Sequence, residues 1–210
     1  RTAVRSGTVT RLWVHAPATA PSLALGDSLA VNGICLTVTE TRGPLVKLDA
    51  VDETRTVTTL GTWRSGRRVH LEPALKAGDP IGGHLVLGHV DGVGVLQTAR
   101  RLGENLVLTF EAPPCVADWL LPKGSVAVDG VSLTLDAAPT GGTFTVSLIP
   151  HTLSWTLFGT LRRGDRVNLE ADVLAKGRGA DAPAAAAHEA PRTLTLSDIT
   201  ARGFRRGRRR

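Results

Sequence analysis

Short runs in which apolar and polar residues alternate cover most of the chain, separated by glycine, proline or a turn dipeptide. Alternation over about four to eight residues is typical of β-strands with one buried face. The first such runs are residues 8–17, 28–31, 34–39, 45–50 and 68–72. Asn32-Gly33, between the second and third run, favours a tight hairpin turn. Strands spaced at about 8–12 residues with turns between them predict a small closed barrel.

The second half of the chain repeats the first. Residues 28–37 match residues 125–134 at an offset of 97, which pairs Cys35 with Ser132. One inserted residue changes the offset to 98, and residues 53–58 and 69–72 then match residues 151–156 and 167–170. This period is too long for a solenoid unit and predicts two similar barrels in tandem.

The repeat also predicts where each barrel begins. Residues 11–17 match residues 107–113 at an offset of 96, so the counterpart of residues 86–96 would precede residue 1. We therefore expect a first barrel at residues 1–83 with its opening strand missing, and a second barrel at residues 84–176 that opens with residues 86–96. On this interpretation the chain is a fragment of a longer product, or a divergent form whose first site is compromised. Residues 177–210 have the composition of a linker and a flexible basic tail, with one or two helical turns over residues 194–201 capped by Ser197.

The net charge of +6 comes entirely from the end of the chain. Six arginines lie beyond residue 201, and the residues before them carry equal numbers of basic and acidic side chains. A terminal basic run of this kind is typical of a solvated tail, and its alternative is a nonspecific phosphate-binding arm. A nucleic-acid partner is not expected, because the aromatic platforms that usually bind bases are lacking.

The two cysteines and the hydropathy exclude other classes of protein. Cys35 and Cys115 lie far apart without a Cys-x-x-Cys partner, so neither a zinc site nor a disulfide framework is predicted. No apolar run reaches the roughly 18 residues of a membrane span, and the first residues do not resemble a signal peptide. We expect a soluble, cytoplasmic protein with no membrane partner.

Glycine and histidine are concentrated in residues 82–94, near the midpoint of the chain. The segment holds five glycines together with His84 and His89. Glycines at this density suit a backbone that approaches another group closely, and histidine can act as acid, base or hydrogen-bonding group. The alternative is a glycine-rich turn with structural histidines.

Five stretches of the chain together resemble the riboflavin synthase alpha-chain family. They are residues 26–39, 82–94, 123–134, 149–154 and 164–170. The resemblance implies an all-β fold of two tandem six-stranded Greek-key barrels with short helices, assembled into a homotrimer through a C-terminal helix. It implies a transferase that converts two molecules of 6,7-dimethyl-8-ribityllumazine into riboflavin and 5-amino-6-(D-ribitylamino)uracil, without metal or organic cofactor. Lumazine synthase is a candidate partner.

The same resemblance implies a set of substrate-binding residues in each barrel. In the first barrel they are Cys35, Leu36, Thr37, Asp49, Ala50, Val51, Asp52, Glu53 and Thr54. In the second they are Gly88, His89, Val90, Lys123, Ser132, Leu133, Thr134, Ile149, Pro150, His151, Thr152, Leu153 and Ser154. Cys35, as nucleophile or hydrogen-bond partner at C7, and His89, as proton-transfer group, are the candidate catalytic residues. The family's productive site lies between the first barrel of one subunit and the second barrel of its neighbour.

Each assignment has a structural alternative. Cys35 could be buried as a small hydrophobic residue, Cys115 matches nothing and is interpreted as structural, and His84 is interpreted as a packing or supporting residue. The chain also departs from the family pattern: nothing matches its opening Met-Phe-Thr-Gly segment, and Gly177 to Pro183 replaces the usual trimerisation helix. A non-catalytic lumazine- or flavin-binding protein on the same fold is therefore a second hypothesis. An RNA-associated protein acting through the arginine tail is a third.

Overall fold

The computed structural model describes the backbone of residues 3–6 and all atoms of residues 9–137 and 139–177. The first six strands are β1 (Ala3–Ser6), β2 (Val9–His15), β3 (Ser28–Val31), β4 (Ile34–Arg42), β5 (Leu45–Val51) and β6 (Leu71–Pro73). The next six are β7 (Gly92–Leu102), β8 (Asn105–Glu111), β9 (Ser125–Val128), β10 (Val131–Thr134), β11 (Thr143–Leu148) and β12 (Arg166–Ala171). Short helices are α1 (Asp52–Val57), α2 (Pro114–Ala117), α3 (Pro150–Trp155) and α4 (Val173–Lys176).

The strands form two six-stranded antiparallel sheets, one in each half of the chain. The first has the order β1-β2-β5-β4-β3-β6 and the second the order β10-β9-β12-β7-β8-β11. The bridge Leu135–Val146 joins β10 to β11 and closes the second sheet into a ring. Followed around this ring from β7, the strand order equals that of the first sheet. The predicted pair of tandem Greek-key barrels is thereby confirmed.

Strict alternation along the strands gives each barrel its own core. On β5, Val46, Leu48 and Ala50 are 0–3% exposed, while the residues between them face outward. Leu108 and Phe110 of β8 are completely buried in the second barrel. The two sets of core residues form separate clusters. Burial of these apolar faces is the main force that stabilises each barrel.

The predicted hairpin and the predicted repeat register are confirmed together. Asn32 and Gly33 have φ of +47° and +74°, the pair of positive values that a type I′ turn requires. This turn pairs Ala30 with Cys35, and the second barrel pairs its Ala127 with Ser132 in the same register. Cys35 and Ser132 therefore occupy equivalent positions of the two sheets.

The opening strand of the first barrel, expected to be missing, is present in part. β1 pairs Ala3 with Leu12, just as β7 pairs Ala99 with Leu108. Residues 3–6 are thus the counterpart of residues 99–102, as the offset of 96 requires. The beginning of β7, residues 92–95, pairs with β12 in the second barrel. No ladder joins β6 to β1 in the described part of the first barrel.

A groove marks this opening of the first barrel. It has a volume of about 490 Å³ and lies between β2 and residues 63–71, with Trp13, Trp63 and Arg67 in its lining. The equivalent space of the second barrel, between β8 and β12, is filled by residues 92–96 of β7. Among the residues that the structure describes, the first barrel is open along this seam, whereas the second is closed.

Two predicted strand boundaries are wrong, and side chains explain both. The first strand of the second barrel begins at Gly92 and not at residue 86, because the amides of Leu87 and Gly88 bond to a carboxylate instead of a neighbouring strand. The run predicted at residues 68–72 is a strand only from Leu71, because the His70 amide donates to the Asn32 side chain.

A histidine from the first barrel ties the barrels together. Nδ1 of His70 lies 3.0 Å from the carbonyl oxygen of Asp129, and its Nε2 accepts a 2.8 Å hydrogen bond from the amide of Leu157. Nε2 must be unprotonated to accept, so the ring is neutral and Nδ1–H donates to Asp129. Burial lowers the pKa of His70, opposed by its bond to the Asp129 carbonyl, and favours this neutral form.

An asparagine from the second barrel makes the reciprocal contacts. Asn168, the repeat counterpart of His70, donates through Nδ2 to the carbonyl oxygen of Asn32 and accepts through Oδ1 from the amide of Thr59, both at 2.8 Å. The amide of Asn168 donates to Oδ1 of Asp129 at 2.8 Å, as the amide of His70 donates to Oδ1 of Asn32 at 2.7 Å. The junction between the barrels is thus an internal pseudo-two-fold contact.

Two glycines allow this junction to close. A Cβ on Gly33 would lie 2.6 Å from the amide nitrogen of Gly130, and a Cβ on Gly130 would lie 2.7 Å from that of Gly33. Only glycine permits two turn backbones to approach so closely. The two hairpins that carry Cys35 and Ser132 are held back to back.

The predictions for the linker, the terminal helical turns and the arginine tail lie outside the described residues, apart from Gly177. Among the described helices, none is long and apolar enough to cross a membrane.

Candidate functional site

One strand in each barrel presents the predicted polar residues on its outer face. On β4, Cys35 is half-buried and Thr37 exposed, while Leu36 between them is 3% exposed and belongs to the core. On β10, Ser132 and Thr134 face outward in the same way. The inward side chains, Leu36, Ala50 and Leu133, can offer a ligand only their backbone.

In each barrel a short helix follows the strand that is adjacent to this one. α1 follows the exposed Val51 and α3 follows the exposed Ile149, and both helices have six residues. Thr37 of β4 pairs with Asp49 near the end of β5, and α1 begins three residues after Asp49. We call Cys35, Thr37, Asp49 and α1 the first site, and Ser132, Thr134 and α3 the second site.

The two sites differ in charge on their helices. α1 carries Asp52 and the exposed Glu53 in its first turn. α3 carries the exposed His151 where α1 has Glu53, and its ring lies 6.3 Å from that of Trp155. Trp155 is 78% exposed, so the second site has an aromatic surface that the first lacks.

A connecting segment, residues 82–91, reaches both sites. A Cβ on Gly83 would lie 2.6 Å from Oγ of Ser132, and a Cβ on Gly88 would lie 2.6 Å from Cβ of Cys35. The amide of Cys35 donates to the carbonyl oxygen of Gly88 at 2.9 Å. Each Gly-His dipeptide of the segment therefore lies against one of the two equivalent residues.

One buried and one half-buried carboxylate hold the connecting segment in place. Glu170, 4% exposed, accepts hydrogen bonds from the amides of Leu87 at 2.8 Å and Gly88 at 3.0 Å. Asp91 accepts from the amide of Ala171 at 2.8 Å and from Nζ of Lys176 at 2.7 Å. Charge-assisted bonds of this kind are stronger than neutral ones, so the segment is fixed to β12.

The two histidines of the segment have different environments. The sequence predicts that His89 lies on the first strand of the second barrel and faces the site. In the structure its side chain is exposed, and the residue precedes that strand. His84 is half-buried, with Nδ1 2.7 Å from Oγ of Ser132. Burial lowers the pKa of His84, opposed by the charges of Asp172 and Glu170.

His84 thus lies at the candidate second site, whereas the sequence predicts for it only a packing or supporting role. The signal available in the sequence was the Gly-His dipeptide occurring twice, at residues 83–84 and 88–89, in a chain with two equivalent sites. Two Gly-His dipeptides and two equivalent sites favour one dipeptide at each site.

Lys123 lies at the edge of the second site in an unusual conformation. Its φ of +58° is left-handed, and its repeat counterpart in the first barrel is Gly26, with φ of +89°. A left-handed lysine costs roughly 1–2 kcal/mol relative to glycine. Lys123 is exposed and comes two residues before Ser125, which pairs with Thr134.

The two cysteines differ in position. Both thiols are free, and Cys35 is half-buried beside Gly88. Cys115 is exposed, and its Sγ lies 3.5 Å from the carbonyl oxygen of Asp91. No group of three or more potential metal ligands occurs among the residues that the structure describes.

Sequence comparison identifies relatives across most of the chain. The family "Lumazine binding domain" matches residues 2–74 and 87–172, one match for each barrel. A riboflavin synthase of Bacillus subtilis strain 168 is 38% identical over 180 residues, which cover 86% of this chain and 83% of that protein. A riboflavin synthase of Brucella abortus strain 2308 is 40% identical, and the match covers 74% of this chain and 79% of that protein. A riboflavin synthase of Mycobacterium tuberculosis strain H37Rv is 43% identical, and the match covers 79% of this chain and 84% of that protein.

Solved structures share the fold. LumP complexed with 6,7-dimethyl-8-(1′-D-ribityl) lumazine superimposes with a TM-score of 0.73 at 22% identity, covering 81% of this chain and 92% of that one. LumP complexed with riboflavin gives a TM-score of 0.74 at 23% identity with the same coverage. The sequence matches, present once per barrel, show that the chain belongs to the lumazine-binding family that contains the riboflavin synthases.

Proposed function

We propose that this chain is a riboflavin synthase, a transferase that dismutates two molecules of 6,7-dimethyl-8-ribityllumazine into riboflavin and 5-amino-6-(D-ribitylamino)uracil. The observation that carries the proposal is the pair of equivalent sites. Cys35 and Ser132 stand at the same register of pseudo-two-fold-related sheets, and in each barrel a six-residue helix follows the adjacent strand. A reaction between two copies of one substrate needs two such sites.

The outward residues match the chemistry of the reaction. One lumazine loses a proton from its C7 methyl group, and the other is attacked at C7. The hydroxyls of Thr37, Ser132 and Thr134 stabilise charge on the ring carbonyls and nitrogens, Cys35 acts at C7, and His89 transfers protons. Oriented partners reach effective molarities of about 10⁵ M or more, so holding both rings together supplies much of the rate.

The productive pair of sites forms between subunits of a homotrimer, with the first barrel of one subunit facing the second barrel of its neighbour. Support comes from large apolar side chains exposed at both sites: Val51 is 58%, Ile149 55% and Trp155 78% exposed. Burying them against substrate or a neighbouring subunit stabilises the assembly. Lumazine synthase in the cytoplasm is the candidate partner that supplies substrate. Light scattering tests the assembly, and a monomer at working concentration contradicts it.

The second candidate function is lumazine or flavin binding without catalysis. The family match "Lumazine binding domain" in both barrels favours it, because that description names binding of the ligand and no reaction.

The test that separates the two functions is turnover. Purified chain is mixed with 6,7-dimethyl-8-ribityllumazine, and riboflavin absorbance is followed. Catalysis is expected to produce riboflavin at a rate proportional to the protein concentration. Tight lumazine binding without riboflavin would replace the enzyme by the binding protein.

A further inference from the structure

The connecting segment places a histidine on a hydroxyl of the second site. Nδ1 of His84 lies 2.7 Å from Oγ of Ser132, and the amide of His84 donates to the same oxygen at 3.3 Å. Gly83, with φ of +104°, brings the segment this close, since any Cβ there would clash with the serine. Both contacts of His84 converge on one hydroxyl group.

The direction of the hydrogen bond between Nδ1 and Oγ depends on which ring nitrogen of His84 carries the proton. Nε2 of His84 is buried and has no hydrogen-bond partner among the described residues. If Nε2 carried the proton, a buried N–H would lack an acceptor, which native structures tolerate less well than an unused acceptor. The proton therefore resides on Nδ1, and Nδ1–H donates to Ser132.

With these two hydrogen bonds in place, the hydroxyl group of Ser132 can act toward a ligand only as a donor. A serine oxygen accepts two hydrogen bonds and donates one. The amide and Nδ1–H of His84 use both acceptor positions. The hydroxyl proton must point away from His84, where it can bond only to an acceptor.

The charged neighbours of His84 leave this arrangement intact. Glu170 is already bonded to the amides of Leu87 and Gly88, and Asp172 to the amide of Leu174. Neither carboxylate has a hydrogen bond to the imidazole. Burial outweighs both charges and favours the neutral ring.

We propose that His84 is a positioning residue that holds Ser132 as a fixed hydrogen-bond donor to a ring carbonyl or ring nitrogen of the lumazine in the second site. The proposal rests on the proposed function for the identity of the ligand. The first site has no equivalent, since His89 is exposed and Cys35 replaces the serine. The two sites therefore differ in hydrogen bonding as well as in nucleophilicity.

Three substitutions at position 84 distinguish a hydrogen bond that positions Ser132 from a side chain that only fills space. His84→Asn keeps a donor near the place of Nδ1, His84→Gln moves the amide about one bond further out toward Nε2, and His84→Ala removes it. Lumazine affinity is measured by fluorescence titration, with thermal unfolding as the check of folding. We expect His84→Ala and Ser132→Ala each to weaken binding about tenfold, the value of one hydrogen bond. His84→Asn should restore binding to within about twofold, and His84→Gln should not.

The double variant makes the test decisive. Since His84 acts through Ser132, His84→Ala combined with Ser132→Ala should bind no more weakly than either single variant. The exposed His15 serves as control, and His15→Ala should bind as the unmodified chain does. Effects that multiply in the double variant, or equal rescue by asparagine and glutamine, would overturn the proposal.

A measurement without ligand keeps this proposal separate from the function. The ¹⁵N chemical shifts of the histidine rings report which nitrogen is protonated, and the resonances of His84 are identified by their absence in His84→Asn. We expect Nδ1–H, with a shift that changes in Ser132→Ala. An Nε2–H tautomer would refute the positioning role even if lumazine binds. Failure of the chain to bind lumazine, together with an Nδ1–H ring, would refute the proposed function alone.

Discussion

Asp129 is the residue whose replacement tests the barrel junction most sharply. Burial raises the pKa of its carboxyl group to about 7 from an ordinary 3.8, against the opposing effects of the Asn168 amide and the charge of Arg67. The carboxyl is only 4% exposed. The equivalent position of the first barrel is Asn32, which accepts the same kind of backbone hydrogen bond through Oδ1. An asparagine already serves this place in the fold.

The sign of the pH effect follows from the raised pKa. The folded chain binds the Asp129 proton more tightly than the unfolded chain, so the stabilisation is complete below about pH 4 and is lost as the pH rises to about 7. A difference of about three pKa units corresponds to about 4 kcal/mol. Asp129→Asn keeps the acceptor and removes the ionisation. The variant should therefore gain stability relative to the unmodified chain by about 3 kcal/mol between pH 5 and pH 8.5.

The assay is thermal unfolding at pH 5 and pH 8.5. For a chain of this size, 3 kcal/mol corresponds to a relative shift of roughly 6–12 °C in Tm. The exposed Asp118 provides the control, since Asp118→Asn should not change the pH dependence. The reasoning is refuted if Asp129→Asn and the unmodified chain lose stability in parallel from pH 5 to pH 8.5.

Three further predictions concern the junction and the first site. Gly33→Ala should lower the free energy of unfolding by about 2 kcal/mol or more in urea titrations, because the new Cβ would lie 2.6 Å from the facing turn. Gly43 also has a positive φ but has open space around it, so Gly43→Ala should lower the free energy of unfolding by only about 1 kcal/mol. Burial lowers the folded-state pKa of His70, so the unmodified chain should lose stability as the pH falls below about 6.5 relative to His70→Asn; identical Tm profiles from pH 7 to pH 5 would contradict this. Cys35→Ala should slow riboflavin formation at least tenfold and Cys115→Ala less than twofold in steady-state assays, and equal effects would remove Cys35 from its role.

The strands and their register could be predicted because the information is local. Alternation along residues 45–50 and the Asn32-Gly33 turn each depend on neighbouring residues alone. The equivalence of Cys35 and Ser132 followed from the repeat, since two copies of one pattern adopt one register. The strands and the turn needed no knowledge of the other barrel, and the equivalence needed only the repeat in the sequence.

The junction could not be predicted, because its contacts join residues far apart in sequence. Asn168 bonds to the backbone of Asn32 across 136 positions and to Thr59 across 109. Neither asparagine carries a local signal that distinguishes a junction from an exposed strand end. The alternation of apolar and polar residues likewise does not predict that Asp129 is buried.

The path of the connecting segment was misjudged for a related reason. Residues 86–91 have strand-like composition, yet the amides of Leu87 and Gly88 bond to the Glu170 carboxylate instead of a strand. Outside a strand or helix the side chains follow no fixed period. The sequence therefore could not show that His84, and not His89, is the histidine bonded to Ser132.

If two lumazines react with each other on this chain, the amounts of substrate and of the two products are linked in a fixed ratio. Lumazine consumed, riboflavin and 5-amino-6-(D-ribitylamino)uracil are quantified by chromatography after reaction with the purified protein. We expect two lumazines to be consumed for each riboflavin and each uracil derivative formed. Lumazine that stays bound and unconverted, or riboflavin formed without an equal amount of the uracil derivative, would contradict it.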